Sequence, residues 1–350
     1  MRFAPLNYFQ ARDNFKEKAK QKGLALDSIL VPFAGPMGED LTIDLAYHQP
    51  PISKSVLIHT SGAHGVEGFA GSAIQQEILE NLDLRAFPDT SLIFIHCINP
   101  YGMSWLRRAN GNNVDLNRSY FGTTERPHNR FYKYFDSMLN PKTTVQKLTG
   151  IAHGMTSRVS FGKEISVQAI AQGQYEFPQG LFYGAREIQP ESAALLKKLK
   201  VLLRGYEKVF VMEVHTGLGG FDEELLFGGI ENAYSEINLM KEAFGKSFDV
   251  QDATVGGYSV YGELSGLYRD AAPHARIGYV IQEFGTYGNI DVLKALRDEN
   301  FDYHFGEGKK NAVTKSKVRL KNSFFPENGK WRNRVLKQGV TRFRQLALLI

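Results

Sequence analysis

Apolar residues recur at helical spacing over residues 8–22, at Tyr8, Phe9, Phe15 and Ala19, and Gly23 closes that segment. The period then changes. Residues 41–47 alternate apolar and polar, the pattern of a half-buried strand, whereas 55–60 form a short apolar run of the kind covered on both faces. A helix is predicted over 69–82. A second buried strand is predicted over 91–98 and is stopped by Asn99-Pro100-Tyr101-Gly102. Pro190 stands near the start of a predicted helix reaching residue 206, and 209–214 is a third buried strand. A helix over 233–244, a fourth strand over 277–284, a helix over 291–300 and a C-terminal helix over 331–349 complete the pattern.

Strands alternating with helices predict an α/β sandwich around a mixed, largely parallel sheet. Residues 122–185 break the rhythm: they are rich in polar residues, glycine and aromatics, and read as an insertion over the core. No internal repeat or low-complexity linker interrupts the chain. The expectation is one domain spanning 1–350, with that insertion and a basic C-terminal extension over 309–350.

The composition is that of an ordinary globular protein, with 43% hydrophobic and 23% charged residues. Cys97 is the single cysteine, which excludes an internal disulfide framework or a cysteine-based metal cluster. The first residues lack a basic stretch followed by a long apolar run, and no apolar run approaches the roughly 20 residues that span a bilayer. A soluble, cytoplasmic protein is expected. The net charge of +5 is uneven: residues 309–344 hold twelve Lys or Arg against one acid, Glu327. Phe324, Phe325, Trp331, Val335, Leu336 and Phe343 interrupt those charges. The segment therefore reads as a solvated helix face and loop rather than a nucleic-acid surface.

The candidate chemistry begins with His64 and Glu67 in Ser61-Gly62-Ala63-His64-Gly65-Val66-Glu67-Gly68, and continues with His215 in Glu213-Val214-His215-Thr216. Each group follows a predicted buried strand, and in open α/β sheets ligands gather beyond the carboxyl ends of the strands. Two imidazoles and one carboxylate leave one position open on a tetrahedral zinc, the ligand count of a hydrolytic site. One ion per chain is expected; Asp115, Glu213 and His59 are candidates for a second. His59 and His96 lie inside apolar strands and read as core residues or supports of a ligand.

Between the histidine segments lies Arg107-Arg108-Ala109-Asn110-Gly111-Asn112-Asn113-Val114-Asp115-Leu116-Asn117-Arg118. Its asparagine-glycine centre predicts a turn that folds Arg108 and Arg118 toward one pocket. A fixed guanidinium there would stabilise an oxyanion or grip a carboxylate bidentately. The alternative for the Asp115 to Arg118 stretch is a structural ion-pair network. Arg107 reads as a surface charge. Glu283 ends the fourth strand and is placed to move a proton between water and a leaving group; its alternatives are a fourth ligand or an arginine partner. Glu213, two residues before His215, shares its face of the strand and is placed to orient it.

These segments together resemble the zinc carboxypeptidase A-like superfamily, and most closely its bacterial carboxypeptidase-like proteins of unassigned function. The aspartoacylase and succinylglutamate desuccinylase enzymes share that core. The most diagnostic string is Val114-Asp115-Leu116-Asn117-Arg118 at its distance from Arg108. The resemblance implies a three-layer α/β/α sandwich, zinc held by His64, Glu67 and His215, and Arg108 polarising a scissile carbonyl. It also implies that Asn117 and Arg118 hold the substrate carboxylate and that Glu283 is the general acid/base. A tyrosine of the family would correspond to Tyr258, Tyr261 or Tyr268, with Tyr261 preferred. Two features depart from the pattern: Glu213 stands where many relatives carry aspartate, and residues 173–184 are placed to roof or narrow the pocket.

The expected function is a zinc hydrolase cleaving a peptide or other amide bond near a free carboxylate. An N-acyl amino acid deacylase using the same site is the first alternative. A non-catalytic metal- or nucleic-acid-binding protein is the second. No membrane partner is expected.

Overall fold

The computed structural model describes residues 5–122, 125–228, 234–250 and 259–350. Among them eight strands form one sheet: β1 (Ala25–Ala34), β2 (Asp40–His48), β3 (Ser55–Ser61), β4 (Thr90–His96), β5 (Lys208–Thr216), β6 (Glu224–Gly228), β7 (Phe248–Val250) and β8 (Arg276–Phe284), in the order β1-β2-β4-β3-β5-β8-β6-β7. The helices are α1 (Tyr8–Gln21), α2 (Gly68–Glu80), α3 (Pro100–Ser104), α4 (Asp136–Leu139), α5 (Thr144–Phe161), α6 (Lys163–Ala171), α7 (Pro190–Leu202), α8 (Tyr234–Phe244), α9 (Ser265–Ala271), α10 (Asn289–Phe305), α11 (Lys315–Phe324) and α12 (Gly329–Ala347).

The four predicted buried strands are β3, β4, β5 and β8. They form the parallel centre of the sheet. Antiparallel pairings with β2 and β6 flank it, which makes the sheet mixed. Burial on both faces explains why these strands read as continuous apolar runs: every residue of β4 is buried, as are all but the first of β3, β5 and β8.

From β3 the chain runs through α2 to β4 on one side. From β5 it runs through α9 to β8 on the other. With right-handed crossovers these helices cover opposite faces of the sheet. Helices α1, α8 and α12 join the α2 side and α7 packs with α9, giving three layers. The reversal of direction between β3 and β5 makes a crevice at their carboxyl ends, the position where open α/β sheets bind ligands.

Helix α1 shows how local signals set an element. Asn7 caps it by accepting from the Gln10 amide at 2.9 Å, and Tyr8, Ala11, Phe15 and Ala19 turn one buried stripe to the core. Gly23 ends it in a left-handed conformation at φ 78°.

Three strands escaped the sequence pattern. Strand β1 is an edge strand, mostly exposed, that carries Pro32 and a register shift between Leu30 and Ala34; edge position weakens the alternation. Strands β6 and β7 are five and three residues long, too short for a period. Helices α9 and α11 were not anticipated either. The predicted helix over 233–244 is α8, and Ala233 lies outside the described residues.

Residues 122–185 contain α4, α5 and α6. Tyr132, Phe135, Leu139, Ala169 and Leu181 form a second apolar cluster with Val66 and with Val292, Ala295 and Leu296 of α10. The basic C-terminal stretch becomes α11 and α12, whose Phe324, Trp331, Val335 and Phe343 are buried. Lys317 departs from a solvated face: it is buried and donates to the carbonyls of Gly308 (2.6 Å) and Asn311 (3.0 Å). No helix among the described residues is long and apolar enough to cross a membrane.

Candidate metal centre

The loop after β3 brings His64 and Glu67 to the crevice. Gly62 turns the chain at φ 72°, a conformation that glycine adopts without strain. Gly65 then lies so close to α3 that a Cβ there would collide with the backbone of Gly102 and Met103. This approach lets the Gly65 and Val66 amides donate to the carbonyls of Arg108 (3.2 Å) and Arg107 (3.0 Å). The arginine segment is thereby stitched beside the histidine loop. Strand β5 delivers His215 from the neighbouring strand end.

His64, Glu67 and His215 are all buried, and one ligand atom from each lies within 4.8 Å of the others. The Nδ1 atoms of His64 and His215 each stand 2.9 Å from an oxygen of Glu67. The opposite nitrogens are held by acids: His64 Nε2 is 2.9 Å from Asp115 Oδ1, and His215 Nε2 is 3.0 Å from Glu213 Oε1. Glu213 is itself hydrogen-bonded by the Tyr279 hydroxyl. His64 Nδ1 makes no aligned hydrogen bond although it is buried. A buried nitrogen left over in this way, beside a second imidazole and a carboxylate, fits a metal ligand set.

The electrostatics follow from this packing. Burial alone would raise the Glu67 carboxyl, but His64 and His215 outweigh it and hold it below the usual carboxylate range. Burial likewise opposes ionisation of Asp115, and Arg108, His64 and Arg118 overcome it. His215 is pushed well above the ordinary histidine value because Glu213 and Glu67 outweigh its burial. Glu283, unlike Glu67 and Asp115, is pushed up to about 8, through burial and the charge of Glu67. It sits opposite His215 across the β5–β8 ladder and accepts from the Leu218 amide at 2.9 Å.

Arg108 reaches Glu67 and Asp115, both at 3.0 Å, and its Nη2 lies 2.8 Å from His64 Nε2. Asn117 and Arg118 lie on the turn that Asp115 caps. The Asn117 side-chain Oδ1 accepts from the Leu264 amide at 3.0 Å, and Arg118 donates to the backbone carbonyls of Ala171 (3.0 Å) and Asn117 (2.9 Å). Tyr261 is 40% exposed and its amide donates to Gln172 at 3.3 Å. The adjoining Gly262 packs against the Arg118 carbonyl, which sets Tyr261 near that arginine. Tyr268 is buried against Tyr279, with ring centroids 6.0 Å apart, and is a core residue; Tyr258 lies outside the described residues.

Arg107 is not a surface charge. It is buried, bonded to Glu299 at 2.7 Å and Asn113 at 2.8 Å, with its guanidinium 3.3 Å from the centroid of the Tyr303 ring. The sequence concealed this because both the acid and the ring come from α10, nearly two hundred residues away. His59 and His96 are buried in their strands.

The sequence places residues 173–184 at the pocket as a stretch without singling out Phe182. Its ring centroid lies 5.7 Å from the Arg108 guanidinium and 5.9 Å from that of Arg118. Its backbone has φ 58°, a strained value for a bulky side chain. The neighbouring Tyr183 carbonyl accepts from the Asp115 amide at 2.8 Å. Within residues 173–184, the Phe182 ring therefore neighbours both arginines.

Residues 3–338 match one family model, and the chain belongs to that family, described as "Protein of unknown function (DUF2817)". None of the curated proteins matches. Among solved structures the chain is similar to a Shewanella amazonensis protein provisionally assigned as a metallopeptidase, at 13% identity and TM-score 0.47 over 85% of this chain and 92% of that one. It is also similar to bovine thrombin-activatable fibrinolysis inhibitor, at 10% identity and TM-score 0.47 over 95% and 97%. A third is a Pseudomonas aeruginosa metallo-carboxypeptidase, at 12% identity and TM-score 0.41 over 94% and 68%.

Proposed function

We propose that this protein is a zinc-dependent hydrolase that cleaves an amide bond beside a free carboxylate, in the manner of a metallocarboxypeptidase. The reading is carried by the convergence of His64, Glu67 and His215 with an orphaned His64 Nδ1 among them. Asp115 and Glu213 stand within hydrogen-bond reach of Nε2 of His64 and His215 respectively, which turns both Nδ1 atoms toward Glu67, the side on which an ion would be held. Zinc held there would supply a Lewis acid for the scissile carbonyl and acidify the attacking water.

The remaining steps belong to the chain. Glu283, opposite His215, takes the proton of the attacking water and returns it to the departing amine; a cation held by Glu67 would offset the negative charge that raises this carboxyl and so leave it ionised for that step. Arg108 turns a guanidinium toward the carbonyl oxygen as charge develops on it. Asn117 and Arg118 hold the substrate carboxylate, and Tyr261 closes over it from the rim. A small peptide with a free C-terminus is the substrate class. A cytoplasmic location accords with the lone, buried thiol of Cys97.

Metal analysis of the purified protein, followed by assay of the zinc-loaded enzyme on C-terminal peptides and on N-acyl amino acids, tests this reading. One zinc per chain with peptide cleavage supports it. Cleavage confined to N-acyl amino acids transfers the site to a deacylase. Failure to take up zinc, or equal uptake by Glu67→Ala, overturns the assignment.

A further inference from the structure

Helix α5 meets the rest of the molecule through one narrow side. Its buried residues are Gly150, Gly154 and Ser157. A Cβ at Gly150 would strike the Ser137 carbonyl, and one at Gly154 the side chain of Met138, so this side is packed to contact. The other side is bare. Val145, Leu148, Met155 and Val159 are 70%, 76%, 63% and 86% exposed, and Ala152 is exposed between them.

These five residues are spaced three, four, three and four apart. That spacing forms one apolar seam along a helix, the seam by which one helix docks on another. Isolated exposed apolar residues are ordinary, but a continuous seam is not. Among the exposed residues of α5, Arg158 alone carries a permanent charge.

We propose that α5 is a dimerisation helix whose exposed seam pairs antiparallel with the same seam of a second copy of this chain. The stripe reads almost alike in both directions: a valine at each end, Leu148 and Met155 inside them, and alanine in the middle. A two-fold interface demands that self-complementarity. A two-fold axis near Ala152 sets the smallest side chain at the point of closest approach.

Charge selects the direction. Antiparallel pairing separates the two Arg158 residues by roughly 18 Å along the helices at 1.5 Å per residue and brings each level with residues 146–147 of the second copy, where the Lys147 ammonium is turned back onto its own Phe301 ring at 3.8 Å; parallel pairing sets the two Arg158 residues side by side. The seam offers on the order of 300 Å² of apolar side-chain area per copy, and so about 600 Å² for the pair, from the transfer energies of such side chains. That is below a standard protein interface, and the dimer is accordingly weak, with a Kd in the micromolar range.

Sedimentation of the full chain across roughly 1 to 200 µM, a span that brackets such a Kd, tests the proposal. A concentration-dependent dimer that Leu148→Glu and Met155→Glu each weaken by about tenfold or more, with unchanged circular dichroism, supports it. Ala152→Cys should oxidise to a covalent dimer, while Val145→Cys, some 20 Å from its own copy in the antiparallel pair, should not. A monomer at every concentration overturns the proposal and leaves the seam to a helix of another protein. A dimer indifferent to the glutamate variants, or equal cross-linking of Val145→Cys and Ala152→Cys, also overturns it.

Discussion

His215 and Glu283 face one another as direct partners in the parallel β5–β8 ladder. Partners in a parallel ladder project to the same face, so the strand register alone holds the Glu283 carboxyl beside a candidate ligand. Glu283→Gln keeps this geometry and removes the base. Its kcat should fall by about 10²- to 10⁴-fold, the span of general acid–base contributions, with zinc content unchanged. Steady-state kinetics and metal analysis on the same sample check this; full activity in the variant would remove Glu283 from the chemistry.

Metal uptake should release protons. Without metal, His215 is held well above the ordinary histidine value by Glu213 and Glu67, so it is charged at neutral pH and must lose a proton to bind. Affinity should rise with pH. Calorimetric titration of zinc into apoprotein, in buffers of different ionisation enthalpy, should return a positive proton count. The same titration of Glu67→Ala should show binding weakened or lost.

Glu213 fixes the His215 ring from its far nitrogen and is itself tied to Tyr279. Glu213→Gln should weaken zinc binding by about 10- to 100-fold, as losing such a support does in other sites. Competition with a chelator of known affinity measures it. Tyr279→Phe should move affinity in the same direction by less, because the acid remains.

Phe182 lies over both arginines. Phe182→Ala should raise KM several-fold and leave kcat nearly unchanged, the signature of lost binding common to ground and transition states. An equal fall in kcat and kcat/KM would instead place the ring at the reacting centre.

Stability should fall on mild acidification. His96 is buried, stacks on Phe15 at 4.9 Å and is 2.9 Å from the Ser72 hydroxyl. Burial lowers its pKa from 6.5 to about 3. The unfolded chain therefore binds a proton that the folded chain refuses between those values. The stabilisation is complete above pH 6.5 and is lost as pH falls toward 3, by up to about 1.4 kcal/mol per pH unit for one proton. His96→Gln should flatten the slope of unfolding free energy against pH by that amount between pH 4 and 6, measured by denaturant titration.

The apolar runs of β3, β4, β5 and β8 are legible one at a time because burial on both faces is a local property of composition. For the same reason His64, Glu67, His215 and Glu283 could be placed at strand ends before any pairing was known. The edge strand β1 and the short strands β6 and β7 have no such signature, and their pairing depends on neighbours far along the chain.

The sequence by itself determined the alternation of strands and helices and which residues stand at the carboxyl ends of the central strands. Only the tertiary structure decided which of those ends are neighbours. It put β3 beside β5, closed Gly65 onto Gly102 so that Arg108 meets Glu67, buried Arg107 on Glu299 and Tyr303, and laid Phe182 over two arginines. The physical reason is range. Periodicity and apolar runs record whether a residue faces the core, whereas the partner it meets there is set by backbone packing between segments that carry no mark of one another.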